Sequence, residues 1–70
     1  VLSEGDGDLI PEHAHEEDEI AYVVSGSLRV HMEGMGDLDV REGEALLIPK
    51  GVRHRGVLSG DCVLIAVYHP

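Results

Sequence analysis

Short apolar runs separated by glycines follow one another along most of the chain. The runs that predict strands are Ile20–Val24, Leu28–Met32, Leu38–Arg41, Ala45–Ile48, His54–Leu58 and Val63–Tyr68. They are rich in Val, Leu and Ile, as strands are, and no segment shows a sustained helical period. Many short strands at regular spacing are typical of an all-β sandwich or barrel, so the pattern predicts that fold class.

Glycine-bearing segments between these runs predict the turns. Ser25-Gly26 fits a two-residue hairpin turn, and Glu33–Gly36 fits a longer one. Glu42-Gly43 and Ser59–Asp61 are further turn signals. The acidic segment Ser3–Asp8 has no strand-like alternation, and we predict a loop or a frayed edge there.

Alternation within the runs predicts which side chains face the interior. Side chains two residues apart point to the same face of a strand. In the strand predicted around Ile20–Val24, we expect one face to point to the interior and the other to the outer surface. The interior face would carry Glu19, Ala21 and Val23, and the outer face Ile20, Tyr22 and Val24. An apolar outer face that carries a tyrosine needs cover, and a second copy of the chain could supply it. The pattern therefore predicts a homodimer.

Length and charge limit the possible partners. Seventy residues make one domain, which we place at 1–70, and a core of this size is marginal without a metal or a partner subunit. The net charge of -9 disfavours nucleic acid and anionic membranes as partners. No apolar run is long enough for a transmembrane helix, and no signal peptide is visible. Cys62 is the single cysteine, which predicts a buried free thiol and a cytoplasmic location. Because the sequence begins with Val1, we expect a trimmed or minimal barrel.

Histidines and a glutamate stand at spacings that suit one metal ion. His13 and His15 are two residues apart, so an extended strand presents both on one face. Glu19 shares that parity if the strand bends, and His54 would have to come from a distant strand. Imidazole and carboxylate ligands suit iron, manganese, nickel, zinc or copper better than calcium or magnesium. The spacing therefore predicts one divalent transition metal as cofactor.

The same residues fall into two motifs that resemble those of the cupin superfamily. The first motif is matched without a gap by Gly7, His13, His15, Glu19 and Gly26. The second is matched by Gly43, Pro49, Gly51 and His54, with Leu58 where the motif has asparagine. The resemblance spans most of the chain. It implies a small conserved β-barrel or jelly roll of antiparallel strands, with His13, His15, Glu19 and His54 as the metal ligands.

The resemblance leaves more than one function open. A cupin with these ligands is expected to be a metal-dependent enzyme of the oxygenase, isomerase or lyase type, acting on a small anionic metabolite. We expect Ala21, Val23 and Leu58 to line its substrate pocket, with Leu58 as an apolar wall. The alternative is a ligand-binding or sensor module of a regulator. A third interpretation is a structural metalloprotein in which the metal only stabilises the small barrel.

Overall fold

The computed structural model describes residues 2–70, and within that range the chain is built entirely on antiparallel strands. The strands are β1 (Leu2–Gly5), β2 (Leu9–His13), β3 (Asp18–Met32), β4 (Gly36–Arg41), β5 (Ala45–Ile48) and β6 (His54–His69). The predicted all-β class is confirmed. No helix that is long and apolar enough to cross a membrane occurs among these residues.

Two long strands, β3 and β6, organise the sheet. They pair with each other along their whole length, from Asp18 opposite His69 to Met32 opposite His54. β5 and β1 flank the half of this pair that contains Asp18 and His69, and we call these four strand segments the first layer. β4 and β2 flank the half that contains Met32 and His54, and these segments form the second layer.

Bends in β3 and β6 fold the two layers over one another. The pairing register shifts twice there: β3 carries one extra residue between Val23 and Ser25, and β6 carries two between Ser25 and Ser27. Gly26, within the second shift, has a φ of 72°. On β6, Gly60 and Asp61 have φ values of 67° and 51°. A left-handed backbone at these positions turns each strand without ending it, so the layers come to face each other.

The predicted turns at Ser25-Gly26 and Ser59–Asp61 are therefore wrong, because both segments lie inside a continuous strand. A turn and a bend draw on the same residue types, and only long-range pairing distinguishes them. The other two predicted turns are confirmed. The Met35 amide donates to the Met32 carbonyl in the first, and the Glu44 amide donates to the Arg41 carbonyl in the second.

The start of the chain is more ordered than its sequence predicts. Leu2–Gly5 form β1, an edge strand that pairs with β6 from Leu2 opposite Ile65 to Gly5 opposite Cys62, so a loop is wrong over Ser3–Gly5. Leu9–His13, for which the sequence predicts no strand, form β2. Both strands are held by backbone pairing to β6 and carry few buried side chains, which explains their weak sequence signal. The predicted domain also includes Val1, which lies outside the described residues.

The core lies between the layers and receives side chains from both. Its buried members include Ala21, Val23, Leu28, Val30, Met32, Val40, Ile48, Leu58, Cys62 and Leu64. The predicted alternation is confirmed, since Ala21 and Val23 are fully buried while Ile20 and Tyr22 are exposed. The extra residue on β3 switches the inward parity from odd numbers before the bend to even numbers after it.

Candidate metal centre

The four predicted ligands meet at the open end of the folded sheet, away from the bends. His13 ends β2 and pairs across the sheet with His54, which begins β6. Glu19 lies near the start of β3, and His15 lies in the loop before it. The topology thus brings residues from opposite layers, and from distant parts of the sequence, to one point.

The donor atoms of this cluster lie close enough to share an ion. One ligand atom from each of His13, His15, Glu19 and His54 lies within 4.8 Å of the others. Glu19 Oε1 is 3.0 Å from His15 Nε2 and 3.8 Å from His54 Nε2. Two ligand atoms about 2.1 Å from one ion, set at a right angle, lie about 3.0 Å apart. The donor set therefore fits a single divalent transition metal.

Each histidine is oriented by its own backbone neighbourhood. Nδ1 of His13 lies 2.8 Å from the Pro11 carbonyl, Nδ1 of His15 lies 2.9 Å from the Glu17 carbonyl, and Nδ1 of His54 lies 2.9 Å from the Val52 carbonyl. A carbonyl oxygen only accepts, so each Nδ1 carries the proton and donates it. In the neutral ring Nε2 is then left with a free lone pair, which is the tautomer that a metal requires.

One contact in the cluster calls for a cation. His15 Nε2 and Glu19 Oε1 are 3.0 Å apart, and Glu19 is buried. With its proton on Nδ1, the neutral His15 ring presents a lone pair to a carboxylate oxygen, and the two acceptors repel. A second proton on the ring or a metal ion between the atoms removes that repulsion.

Backbone hydrogen bonds tie together the two loops that carry ligands. The Gly51 amide donates to the His15 carbonyl over 2.8 Å. The Lys50 amide donates to the Asp18 carboxylate over 2.9 Å. These bonds fix the loop before His54 against the loop before Glu19, which makes the cluster less dependent on a metal for its shape.

A cavity of about 140 Å³ extends from the cluster into the space between the layers. His13, Glu19 and His54 lie in its wall, and most of the remaining wall is apolar. Of the predicted pocket residues, Ala21 lines the cavity. Val23 and Leu58 are packed in the core and do not line it. A cavity of about 150 Å³ holds a molecule the size of benzene, so the space suits a small metabolite.

Tyr68 is a cavity residue that the motifs did not indicate. It lies opposite Glu19 in the pairing of β3 with β6, and its ring meets the His15 ring edge to face at a centroid distance of 5.3 Å. Burial raises the pKa of the Tyr68 phenol, and the negative charges of Glu19 and Glu17 raise it further. The group is therefore a neutral hydrogen-bond donor at pH 7.

Arg55 borders the cavity beside the buried His54, but it pairs with His31 across β3 and β6, so its side chain projects to the outer face of the second layer. Its guanidinium is 3.7 Å from one oxygen of Glu12, and the Arg53 guanidinium donates to the other oxygen over 3.2 Å. One carboxylate thus serves two arginines, which leaves an excess positive charge at this edge of the cluster. Arg53 pairs with the same Glu12 carboxylate but does not line the cavity.

The remaining histidines and the cysteine lie apart from the cluster. His31 is on the outer face of the second layer, with Nδ1 2.6 Å from Asp37, and His69 is exposed. Cys62 is a free, fully buried thiol as predicted, and burial raises its pKa. A protonated, enclosed thiol is a poor nucleophile and a poor ligand, so Cys62 belongs to the core.

The fold and the site together define the class of protein. It is a small β-barrel made of one folded-over sheet, and three imidazoles and a carboxylate at its open end form a candidate metal site. The cupin domain family model matches residues 2–68. The chain belongs to the cupin family, as its two motifs predict.

Several individual proteins are similar to this chain. Over 64 residues the chain is 39% identical to Protein SchB of Streptomyces halstedii. The aligned segment is 90% of this chain and 46% of SchB, so the chain spans about half the length of that curated relative. It superposes on KdgF from Halomonas sp. with a TM-score of 0.87 and 32% identity, covering 99% of this chain and 64% of KdgF. It superposes on a W96Y variant of Bacillus subtilis oxalate decarboxylase with a TM-score of 0.87 and 27% identity, covering 97% of this chain and 20% of that one.

Proposed function

We propose that this chain binds one divalent transition metal through His13, His15, Glu19 and His54. The observation that carries the proposal is that each of the three imidazoles has its Nδ1 against a backbone carbonyl, while one ligand atom from each of the four residues lies within 4.8 Å of the others. The Nε2 atoms of His15 and His54 lie 3.0 and 3.8 Å from the buried Glu19 carboxylate. A bound divalent ion would supply Lewis-acid chemistry at the inner end of the cavity. Four protein ligands leave room for a small ligand on a six-coordinate ion.

We further propose that the protein is a metal-dependent enzyme for a small anionic metabolite. A cavity large enough for such a molecule opens onto three of the four donor residues, His13, Glu19 and His54. One structural neighbour is named for the decarboxylation of oxalate, a small dianion, and this supports the substrate class for the present chain. The proposed reaction is of the oxygenase, isomerase or lyase type, and the proposed metal is Fe, Mn, Ni, Zn or Cu.

The distribution of cations supports an anionic ligand. The chain has 5 basic residues against 14 acidic ones, and three of the five, Lys50, Arg53 and Arg55, surround His54 in sequence. Arg55 borders the cavity, and its side chain lies on the outer face beside Glu12. A negatively charged molecule approaching a protein of charge -9 is repelled at long range, so it needs local positive charge at the site.

Replacing Arg55 with glutamine should weaken anion binding. We expect the Co²⁺-loaded Arg55→Gln variant to bind malonate about tenfold more weakly than the wild type, because a positive charge beside the cavity is lost. Malonate affinity can be measured from the change it produces in the Co²⁺ visible spectrum. Arg53→Gln is the matched control, since it removes the same charge from the same Glu12 pair but not from the border of the cavity. Equal losses in both variants would mean that Arg55 acts only through overall charge.

We propose that the outer face of the first layer is covered by a second copy of the chain. Register places exposed apolar side chains side by side across its four strands: Leu2, Ile65, Tyr22, Val67, Ile20, Leu47 and Val24. The outer face of the second layer instead carries ion pairs such as Arg29–Asp39. Two copies of a chain with charge -9 repel each other, so they associate best through a face on which apolar side chains outnumber charged ones, and this face is of that kind.

A charge placed on that face should separate the dimer. We expect wild-type protein to sediment at twice the 7.6 kDa of one chain, and Ile20→Glu to sediment as a monomer. Val57→Glu is the control, because Val57 is a similarly exposed aliphatic residue on the outer face of the second layer. A wild-type protein that sediments at 7.6 kDa at micromolar concentration would rule out this dimer.

A cytoplasmic location is part of the same proposal. The fold needs no disulfide, since Cys62 is free and enclosed in the core. A buried thiol of this kind is compatible with a reducing compartment.

A further inference from the structure

Tyr68 faces the interior at the mouth of the cavity. It pairs with Glu19 across β3 and β6, and directly paired residues project from the same face of a sheet. Ala66 and Leu64, which share its parity on β6, are buried. Tyr68 itself is 38% exposed, which places it at the rim, and its ring lies against that of His15.

The hydroxyl of Tyr68 is an uncommitted donor at this rim. Among residues 2–70, no hydrogen bond of the structure engages it, whereas each nearby histidine has its Nδ1 proton satisfied by a carbonyl. A tyrosine that is partly enclosed normally gives its O–H to a partner. Here the partner can be a molecule that enters the cavity, because Tyr68 lies in the cavity wall together with Glu19 and His54.

We infer that Tyr68 donates a hydrogen bond to a negatively charged oxygen of the small molecule held at the four-residue cluster. This inference rests on the proposed function and adds a ligand-positioning residue to it. Tyr68 projects towards the cavity from the first layer, so an anionic ligand at the cluster would meet a neutral donor on that wall. A donor of this kind favours ligands whose oxygen is anionic, since hydrogen bonds to charged acceptors are the stronger ones.

Tyr68→Phe removes the hydroxyl and keeps the ring against His15. In Co²⁺-loaded protein we expect this variant to bind malonate about tenfold more weakly than the wild type. Its Co²⁺ affinity and melting temperature should match those of the wild type, because neither the ligands nor the packing change. Tyr22→Phe is the matched control, since Tyr22 is the chain's other tyrosine and lies on the outer face of the same strand pair. It should leave malonate affinity unchanged.

The outcomes separate this inference from the proposal beneath it. Equal malonate affinity in Tyr68→Phe and wild type would overturn the role of Tyr68 while leaving the metal site intact. A loss of Co²⁺ affinity that accounts for the whole loss of malonate would show that Tyr68 only supports His15, which also overturns it. A wild-type protein that takes up no Co²⁺ would refute the metal site itself.

Discussion

Replacing His54 with alanine should lower the affinity for a divalent transition metal by about 100-fold or more. Four-ligand structural sites bind zinc with about 10–16 kcal/mol, so one ligand accounts for roughly 3 kcal/mol. His54 is the most enclosed of the three imidazoles, and its Nδ1 contact with Val52 fixes the direction of Nε2. Titration of metal-free protein with Co²⁺ measures the effect directly. The metal should also raise the melting temperature of the wild type and not that of the variant.

His31→Ala is the control for this substitution. His31 lies on the outer face of the second layer with Asp37 as its partner, and it takes no part in the cluster. The His31→Ala variant should bind Co²⁺ with the same affinity as the wild type. If His54→Ala keeps full metal occupancy at wild-type affinity, the metal is held elsewhere and the proposed ligand set is wrong.

Replacing Gly26 with alanine should destabilise the fold by about 3 kcal/mol or more. The residue has a φ of 72°, and an added Cβ would lie 2.7 Å from backbone atoms of Ser59, Gly60 and Cys62. Left-handed backbone costs a non-glycine residue about 1–2 kcal/mol, and overpacking costs about 1–3 kcal/mol more. A domain of this size has only a few kcal/mol to lose, so we expect a melting temperature at least about 12 °C lower by circular dichroism.

The Gly34→Ala variant separates the cost of backbone strain at a positive φ from the cost of a steric clash by the added Cβ. Gly34 has a φ of 84°, but apart from its chain neighbours no atom lies within 4 Å of the position that an added Cβ would occupy, so only the backbone cost applies. We expect a loss of about 1 kcal/mol there. If the two variants melt at the same temperature, the close approach of the bends in β3 and β6 does not contribute to stability as the structure implies.

Local alternation is sufficient to predict the faces of the strands but not their continuity. The inward positions of Ala21 and Val23 follow from a period of two, and they hold in the fold. Gly26 and Gly60 look like turn residues in the sequence, yet they bend strands that continue on both sides. Whether a glycine ends a strand or bends it depends on hydrogen bonds to a partner that is distant in sequence, and no local pattern contains that information.

Three residues of the candidate site are predictable from their local spacing, whereas His54 and the surroundings of the site depend on the fold. The spacing of His13, His15 and Glu19 indicates a shared ion, and the structure brings His54 to them. The place of Tyr68 depends on its register with Glu19, far away in the sequence, so no motif could indicate it. The place of Leu58 also depends on the fold: we expected it in the pocket wall, and it lies in the packed core.

The metal content of the protein is the most direct test of the proposed site. It can be measured by inductively coupled plasma mass spectrometry, on protein as purified and again after incubation with excess Co²⁺ and gel filtration. We predict about one equivalent of divalent transition metal per chain in the loaded sample. A chain that retains no metal in either sample would contradict the proposal that His13, His15, Glu19 and His54 form a metal centre.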